Sequence, residues 1–152
     1  MPEIIMLVGL PASGKSTYAE TLRKDGYRIF SSDAWREKNG NKSARTVFSA
    51  IIKDIKKNVR KGYNCVLDAT NLRADNRIGA IIDLEETGAD IRCIVFNTPA
   101  DICKKRNRVR ENDHGVTDEV IDNMLSTYEI PRRCEGFSSI MVRDYRTTKE
   151  EG

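Results

Sequence analysis

Apolar positions along the chain follow two rhythms that alternate. Ile4-Ile5-Met6-Leu7-Val8, Cys65-Val66-Leu67 and Ile91-Arg92-Cys93-Ile94-Val95-Phe96 are short and almost unbroken apolar runs. That is the pattern of parallel strands covered on both faces. Tyr27 to Ser32 reads as another strand, and Ser139-Ile140-Met141-Val142 as a fifth. The stretches between them switch to helical spacing. Ser16 to Lys24 suits a helix, and a longer one from about Ala44 to Lys61 puts Val47, Phe48, Ile51, Ile52, Ile55 and Val59 on one stripe, with Gly62 as its stop. A helix after Asn71 is expected to turn Ile78, Ile81 and Ile82 inward and to close at Gly88. Residues 100–110 read as a strongly basic helix, broken by Asn112-Asp113-His114-Gly115. Thr117 then caps a last helix, with Asp118 and Glu119 in its first turn and an apolar stripe of Val120, Ile121, Met124, Leu125 and Tyr128. Residues 38–43 form a polar loop, and the tail 144–152 is expected to fray.

Strands and helices alternate four times, which predicts an α/β fold of three layers, with a parallel central sheet of four to five strands flanked by helices. The chain 1–152 shows no linker, repeat or low-complexity tract and reads as one domain. At 152 residues it is long enough to bury roughly two-thirds of its extended surface. No apolar run approaches the ~20 residues a bilayer span requires. Met1-Pro2-Glu3 leads directly into the first strand, so a cleavable leader is not expected. The four cysteines, Cys65, Cys93, Cys103 and Cys134, lack paired spacing and a matching histidine set. That argues against a disulfide framework or a zinc site, and for a cytoplasmic, reducing compartment.

The net charge of +3 is small, but the basic residues cluster. Lys53, Lys56, Lys57, Arg60 and Lys61 share one segment and read as a solvated helix face with nucleic-acid contact as the alternative. Lys104, Lys105, Arg106, Arg108 and Arg110 share another. Helical spacing puts Arg106 and Arg110 on one face, where like charges repel by a few tenths of a kcal/mol unless an anion lies between them.

The chemistry starts at Gly9-Leu10-Pro11-Ala12-Ser13-Gly14-Lys15-Ser16-Thr17, which joins the first strand to the first helix and fits G-x-x-x-x-G-K-[ST]. Gly9 and Gly14 allow a tight turn and close approach to a ligand. The N–H groups from Ala12 to Thr17 then converge on an anion at the positive end of the helix. Lys15 would reach the β- and γ-phosphates, and the Ser16 hydroxyl would ligate Mg²⁺. Nucleoside triphosphate binding is the expectation. Phosphoryl transfer to a hydroxyl also needs a proton acceptor and positive charge around the moving group. Asp33 follows the second strand and is a candidate base, with helix capping as the competing role, and Arg36 lies one turn beyond it. Asp68 ends the third strand as a Walker B acid would. The basic helix suits a lid over about residues 100–116, with Arg106 and Arg110 on the phosphates.

Taken in order, GLPASGKST, SSDAWR, DATNLRADNR, FNTPADICKKRNRVR and the VTDEVIDNM helix resemble the kinase domain of the polynucleotide 5′-hydroxyl kinases, found in phage end-repair enzymes and their cellular relatives. The resemblance covers about Ile4 to Tyr128. It implies ATP and Mg²⁺ as cofactors, a DNA or RNA acceptor, Asp33 as the base on the 5′-OH, and Arg36 on the acceptor's end. It also implies that Asp68 holds Arg36, that Asn71 and Arg77 support the acceptor site, and that Arg106 and Arg110 act as lid residues. Whether Asp68 positions Arg36 or assists Mg²⁺ stays open at this point. Ala12 stands where many relatives carry glycine, a mild change if its φ is negative. No D-x-D phosphatase signature occurs. Other acceptors remain alternatives: a hydroxymethylated base in DNA, a tRNA-linked group or a small metabolite. So does a nucleotide-dependent binding module. Trp35 is read as a packed anchor, with base stacking as the alternative.

Overall fold

The apolar run at Ile4–Val8 becomes the middle of the sheet because it has no polar face to show to water. A computed structural model describes residues 2–109 and 116–146. In chain order the elements are β1 (Glu3–Val8), α1 (Lys15–Lys24), β2 (Arg28–Ser31), α2 (Ser32–Asn39), α3 (Ala44–Arg60), β3 (Cys65–Asp68), α4 (Ala74–Glu85), β4 (Asp90–Phe96), α5 (Ala100–Val109), α6 (Asp118–Ser126), a 3₁₀ turn (Arg133–Glu135) and β5 (Ser139–Arg143). The five strands form one sheet in the order β2-β3-β1-β4-β5, every pair parallel. The expected parallel sheet of three-layer type is what forms.

Alternation along β1 sends its side chains to two separate cores. Ile4, Met6 and Val8 pack with Val47, Ile51, Ile55, Leu67 and Ile81 under α3 and α4. Ile5 and Leu7 pack with Ala19, Leu22, Val66, Ile94 and Phe96 under α1. On α3 the predicted stripe is buried at Val47, Ile51, Ile52, Ile55 and Val59. Each such side chain contributes about 1.5–3 kcal/mol relative to leaving it exposed. Trp35 packs against the larger core, as the anchor reading held.

Three local expectations need correction. On α4, Ile78 and Ile82 are 37% and 64% exposed, and the inward face is Arg77, Ala80, Ile81 and Leu84. The face rotates because Arg77, fully buried, takes a core position and meets its partners there. On α6 only Ile121 is buried, and Leu125 is 46% exposed. Part of the expected frayed tail is held: the Tyr145 N–H donates to Asn97 Oδ1 at 3.0 Å. Residues 147–152 of that tail lie outside the described residues.

Strand register decides what meets at the top of the sheet. Leu7 pairs with Asp68, and Ser31 pairs with Asp68 from the other side. The carboxyl ends of β1, β3 and β2 therefore finish level, on adjacent strands about 4.8 Å apart. Open α/β sheets bind their ligands beyond those ends.

Candidate functional site

The loop from Gly9 to Gly14 is fixed by close packing and by backbone hydrogen bonds. A Cβ on Gly9 would lie 2.7 Å from Ser13 Oγ and 3.1 Å from Phe96 Cβ, so only glycine fits. The Gly9 N–H donates to Thr70 O at 3.1 Å, and Ser13 N–H to Leu10 O at 3.2 Å. Thr98, which the motif does not include, donates its hydroxyl to Ser13 O at 2.8 Å from the end of β4. Gly14 sits at φ +106° as the N-cap of α1 and offers no side-chain cap. The first-turn N–H groups of α1, at Lys15, Ser16 and Thr17, are thus left to a ligand. Ala12 has φ +62°, so the mild-substitution expectation fails. An L-residue there costs roughly 1–2 kcal/mol relative to an unstrained backbone.

Lys15 is 7% exposed and folds back over the loop, donating Nζ to Gly9 O at 3.0 Å and Leu10 O at 2.8 Å. Ser16 Oγ donates to Asp68 Oδ2 at 3.2 Å. That distance is set by the register: Asp68 ends β3 one strand away from the start of the loop. Asp68 is itself 6% exposed. A hydroxyl and a carboxylate so placed are hard oxygen donors of the type Mg²⁺ prefers.

Asp33 and Arg36 lie on α2, whose N-cap is Ser31: its Oγ accepts from the Ala34 N–H at 3.2 Å. The competing reading of Asp33 as the cap is therefore wrong. Asp33 falls in the first turn, exposed, with Arg36 one turn on and half-buried. Asn71, at φ +50°, donates Nδ2 to Leu7 O at 2.7 Å and to Ala69 O at 3.3 Å, tying the segment after β3 to the end of β1. Asn71 O in turn accepts from Arg77 Nη1 at 2.8 Å. Arg77 is held bidentately by Glu135, at 2.8 and 3.1 Å. The Arg77 side chain is 0% exposed and that of Glu135 6%. Glu135 had no signal of its own in the sequence.

The basic helix α5 divides its charges. Lys104 pairs with Asp122 at 2.7 Å and Arg108 with Asp118 at 2.7 Å, both on α6. Arg106 instead reaches the phosphate loop, with Nη1 3.5 Å from Ala12 O. Asn107 is 4% exposed and clasps Val116, accepting from its N–H at 3.1 Å and donating to its carbonyl. Arg110 and most of the expected lid beyond it lie outside the described residues.

These parts share one cleft of about 1380 Å³, bounded by the loop at Ala12, Gly14, Lys15, Ser16 and Thr17, by Asp33 and Arg36, by Asp68 and Asn71, and by Arg106. Gly9 and Ser13 are buried behind it. Single-ligand pockets occupy roughly 300–1000 Å³, so there is room for a second reactant. Arg45, Val47, Phe48 and Ser49 of α3 form its far wall. The thiols take no part: burial pushes Cys65 up to about 11 and Cys93 to about 12, and raises Cys103 as well. No helix among the described residues is long and apolar enough to cross a membrane.

Known proteins resemble this chain in sequence and fold. A protein of Arabidopsis thaliana named transcription factor bHLH140 is 28% identical over 144 residues, covering 91% of this chain and 15% of that protein. The bifunctional polynucleotide phosphatase/kinase of Schizosaccharomyces pombe is 27% identical over 152 residues, covering 97% of this chain and 35% of that protein. The chain thus spans 15% and 35% of the lengths of these two relatives. In the solved Pnkp1/Rnl/Hen1 complex, one chain matches 69% of this chain over 38% of its own length, at 26% identity and a TM-score of 0.63. Kti12 of Chaetomium thermophilum, solved with ADP-AlF3, superposes over 97% of this chain and 96% of its own with a TM-score of 0.70, at 16% identity, a likeness of fold. A family model described as an AAA domain matches residues 4–131, and with its phosphate loop, parallel sheet and cleft in place the chain belongs to that family as a kinase-like P-loop nucleotide-binding domain.

Proposed function

We propose that this chain is an ATP- and Mg²⁺-dependent kinase that transfers the γ-phosphoryl group of ATP to a hydroxyl of a nucleic acid, the 5′-OH end of a polynucleotide. The observation that carries this reading is the level ending of β1, β3 and β2, which puts the phosphate loop, Asp68 and Asp33 side by side along one cleft. A module that only bound nucleotide has no use for a carboxylate and a guanidinium across from the loop.

In this reading the loop N–H groups and Lys15 hold the β- and γ-phosphates, and Lys15 exchanges its loop carbonyls for phosphate oxygens. Ser16 and Asp68 are the residues that would hold Mg²⁺, which when bound neutralises charge on the phosphates. Their mutual hydrogen bond favours the Walker B role for Asp68 over the positioning of Arg36. Arg36 orients the acceptor. Asp33 accepts the hydroxyl proton as the acceptor oxygen bonds to the γ-phosphorus and the bond to the ADP oxygen breaks. Arg106 and Arg110 place positive charge on the transferring group. A polynucleotide acceptor is favoured by the Schizosaccharomyces pombe relative, whose name is bifunctional polynucleotide phosphatase/kinase and which matches 97% of this chain.

The test is transfer of labelled γ-phosphate from ATP with Mg²⁺ to a 5′-OH oligonucleotide, compared with a 5′-blocked one carrying a hydroxymethylated base, with gluconate and with no acceptor. Label at the 5′ end is expected. Label on the modified base or the small molecule alone replaces the acceptor, and hydrolysis without transfer to any of them removes the kinase assignment.

A further inference from the structure

We infer that the exposed row Arg45, Ser49, Lys53, Lys57 and Lys61 along α3 is a track for the phosphodiester backbone of the acceptor strand. This rests on the polynucleotide reading above and extends it outside the cleft. These residues recur every four positions, ending at Lys61, the C-cap of α3, so they form one oblique row that winds about the helix axis, and all five are exposed. The row begins in the cleft, which Arg45 and Ser49 line together with the phosphate loop. It continues into a shallow groove of about 200 Å³ lined by Ser49, Lys53 and Lys57 together with Ile52, Lys56, Arg60 and the carboxylate of Asp83. Ser49 belongs to both, so the groove adjoins the cleft.

The cations that line the groove divide by partner, not by face. Lys56 pairs with Asp83 at 3.0 Å and with Glu86 at 3.1 Å, and Arg60 lies 3.7 Å from Glu86. Those cations hold α3 to α4. Arg45, Lys53, Lys57 and Lys61 form no salt bridge among the described residues. Lys53–Lys57 and Lys57–Lys61 are like-charge neighbours, each pair costing a few tenths of a kcal/mol on a helix. The acids nearby do not relieve that cost: Asp83 is taken by Lys56, and Asp54 forms no salt bridge with these lysines among the described residues. A polyanion offsets the cost and gains released counterions.

The dimensions fit one strand. From Arg45 to Lys61 the ridge rises about 24 Å, the length of roughly seven nucleotides in a stacked strand. The track's inner end, Arg45 and Ser49, lines the same cleft as Asp33, the proposed base for the 5′-terminal hydroxyl.

The experiment compares wild type with Lys53→Glu/Lys57→Glu and with a control of equal charge change at two exposed sites elsewhere, Lys24→Glu/Arg132→Glu. With a 20-nucleotide 5′-OH acceptor, KM is expected to rise at least tenfold in the track variant only. The log–log salt slope of its binding should shrink by about 1.4, at ~0.7 per phosphate contact for single strands. The KM for ATP and turnover of a dinucleotide acceptor should stay at the wild-type value. An unchanged KM and salt slope for the long acceptor overturns the track, as does an equal loss in the control variant. Anisotropy with a labelled 5′-phosphorylated 20-mer separates this from the kinase assignment. If wild type phosphorylates no nucleic acid yet binds this strand and the track variant does not, the track stands and the reaction is wrong. No binding by wild type overturns it.

Discussion

The two sides of the cleft are built on different principles. On the proposed donor side the backbone would do the recognising: Gly9 admits no Cβ, Ser13 is fully buried, and Lys15 lies 7% exposed against loop carbonyls. On the proposed acceptor side the recognising groups would be side chains on helices, and α2 has no buried residue. Asp33 is exposed, and Arg45 and Ser49 of α3, also exposed, line the same cleft. A phosphate chain is the same in every nucleoside triphosphate, so a rigid backbone cradle can bind it in advance. An acceptor varies from one kinase to the next, and a surface of exposed side chains can change without disturbing the core.

The largest effect should come from separating the two sides chemically. Asp33→Asn keeps the size and first-turn position of the side chain but removes its basicity. Turnover is expected to fall about 10²–10⁴-fold, the usual share of a general base, while nucleotide affinity stays within twofold. Lys15→Ala should reduce both. Titrating a fluorescent ATP analogue alongside the transfer assay reads the two quantities independently. If Asp33→Asn retains most of its turnover, the proton goes elsewhere and Asp33 is not the base.

A second effect, on stability, tests the hinge between the two sides. Asn71 reaches Leu7 on the donor side and is itself held by Arg77, which depends on Glu135. Glu135→Ala leaves a buried guanidinium without its counter-charge, a loss of about 3–5 kcal/mol. For a chain of this size that is a fall of roughly 10 °C or more in thermal midpoint. Calorimetry of the nucleotide-free protein checks it. A change of less than a degree or so would mean that the Asn71 segment is anchored without this pair.

The same pair shows where sequence reading stops. The phosphate loop and the five strands could be read from Gly9 to Thr17 and from the apolar runs, because each depends on residues next to one another. The inward face of α4 could not. Hydropathy ranks Ile78 and Ile82 above Arg77, yet Arg77 is inside because Glu135, 58 residues away, arrives to neutralise it. Thr98 and Asn107 were invisible for the same reason: their roles are hydrogen bonds to Ser13 and Val116 that only the folded chain supplies. On α2, Asp33 and Arg36 were legible as chemistry, while the identity of the cap was not. Ser31 and Asp33 are both good capping residues, and strand register decided for Ser31.

The smallest effect concerns the donor side alone. Ala12 holds φ +62° inside the loop, a conformation that glycine adopts freely and alanine does not. Ala12→Gly relieves that strain but gives the unfolded chain more freedom to lose, so the two terms partly cancel. A net gain of about 0.5–1 kcal/mol is expected, or roughly 2–4 °C in midpoint at this chain length. Nucleotide affinity should hardly move, because the loop N–H groups keep their directions. A drop in stability would show that the methyl group of Ala12 contributes more by packing in the cleft than its backbone costs. The donor cradle would then depend on a side chain after all, and the division between a backbone side and a side-chain side would be less sharp than drawn.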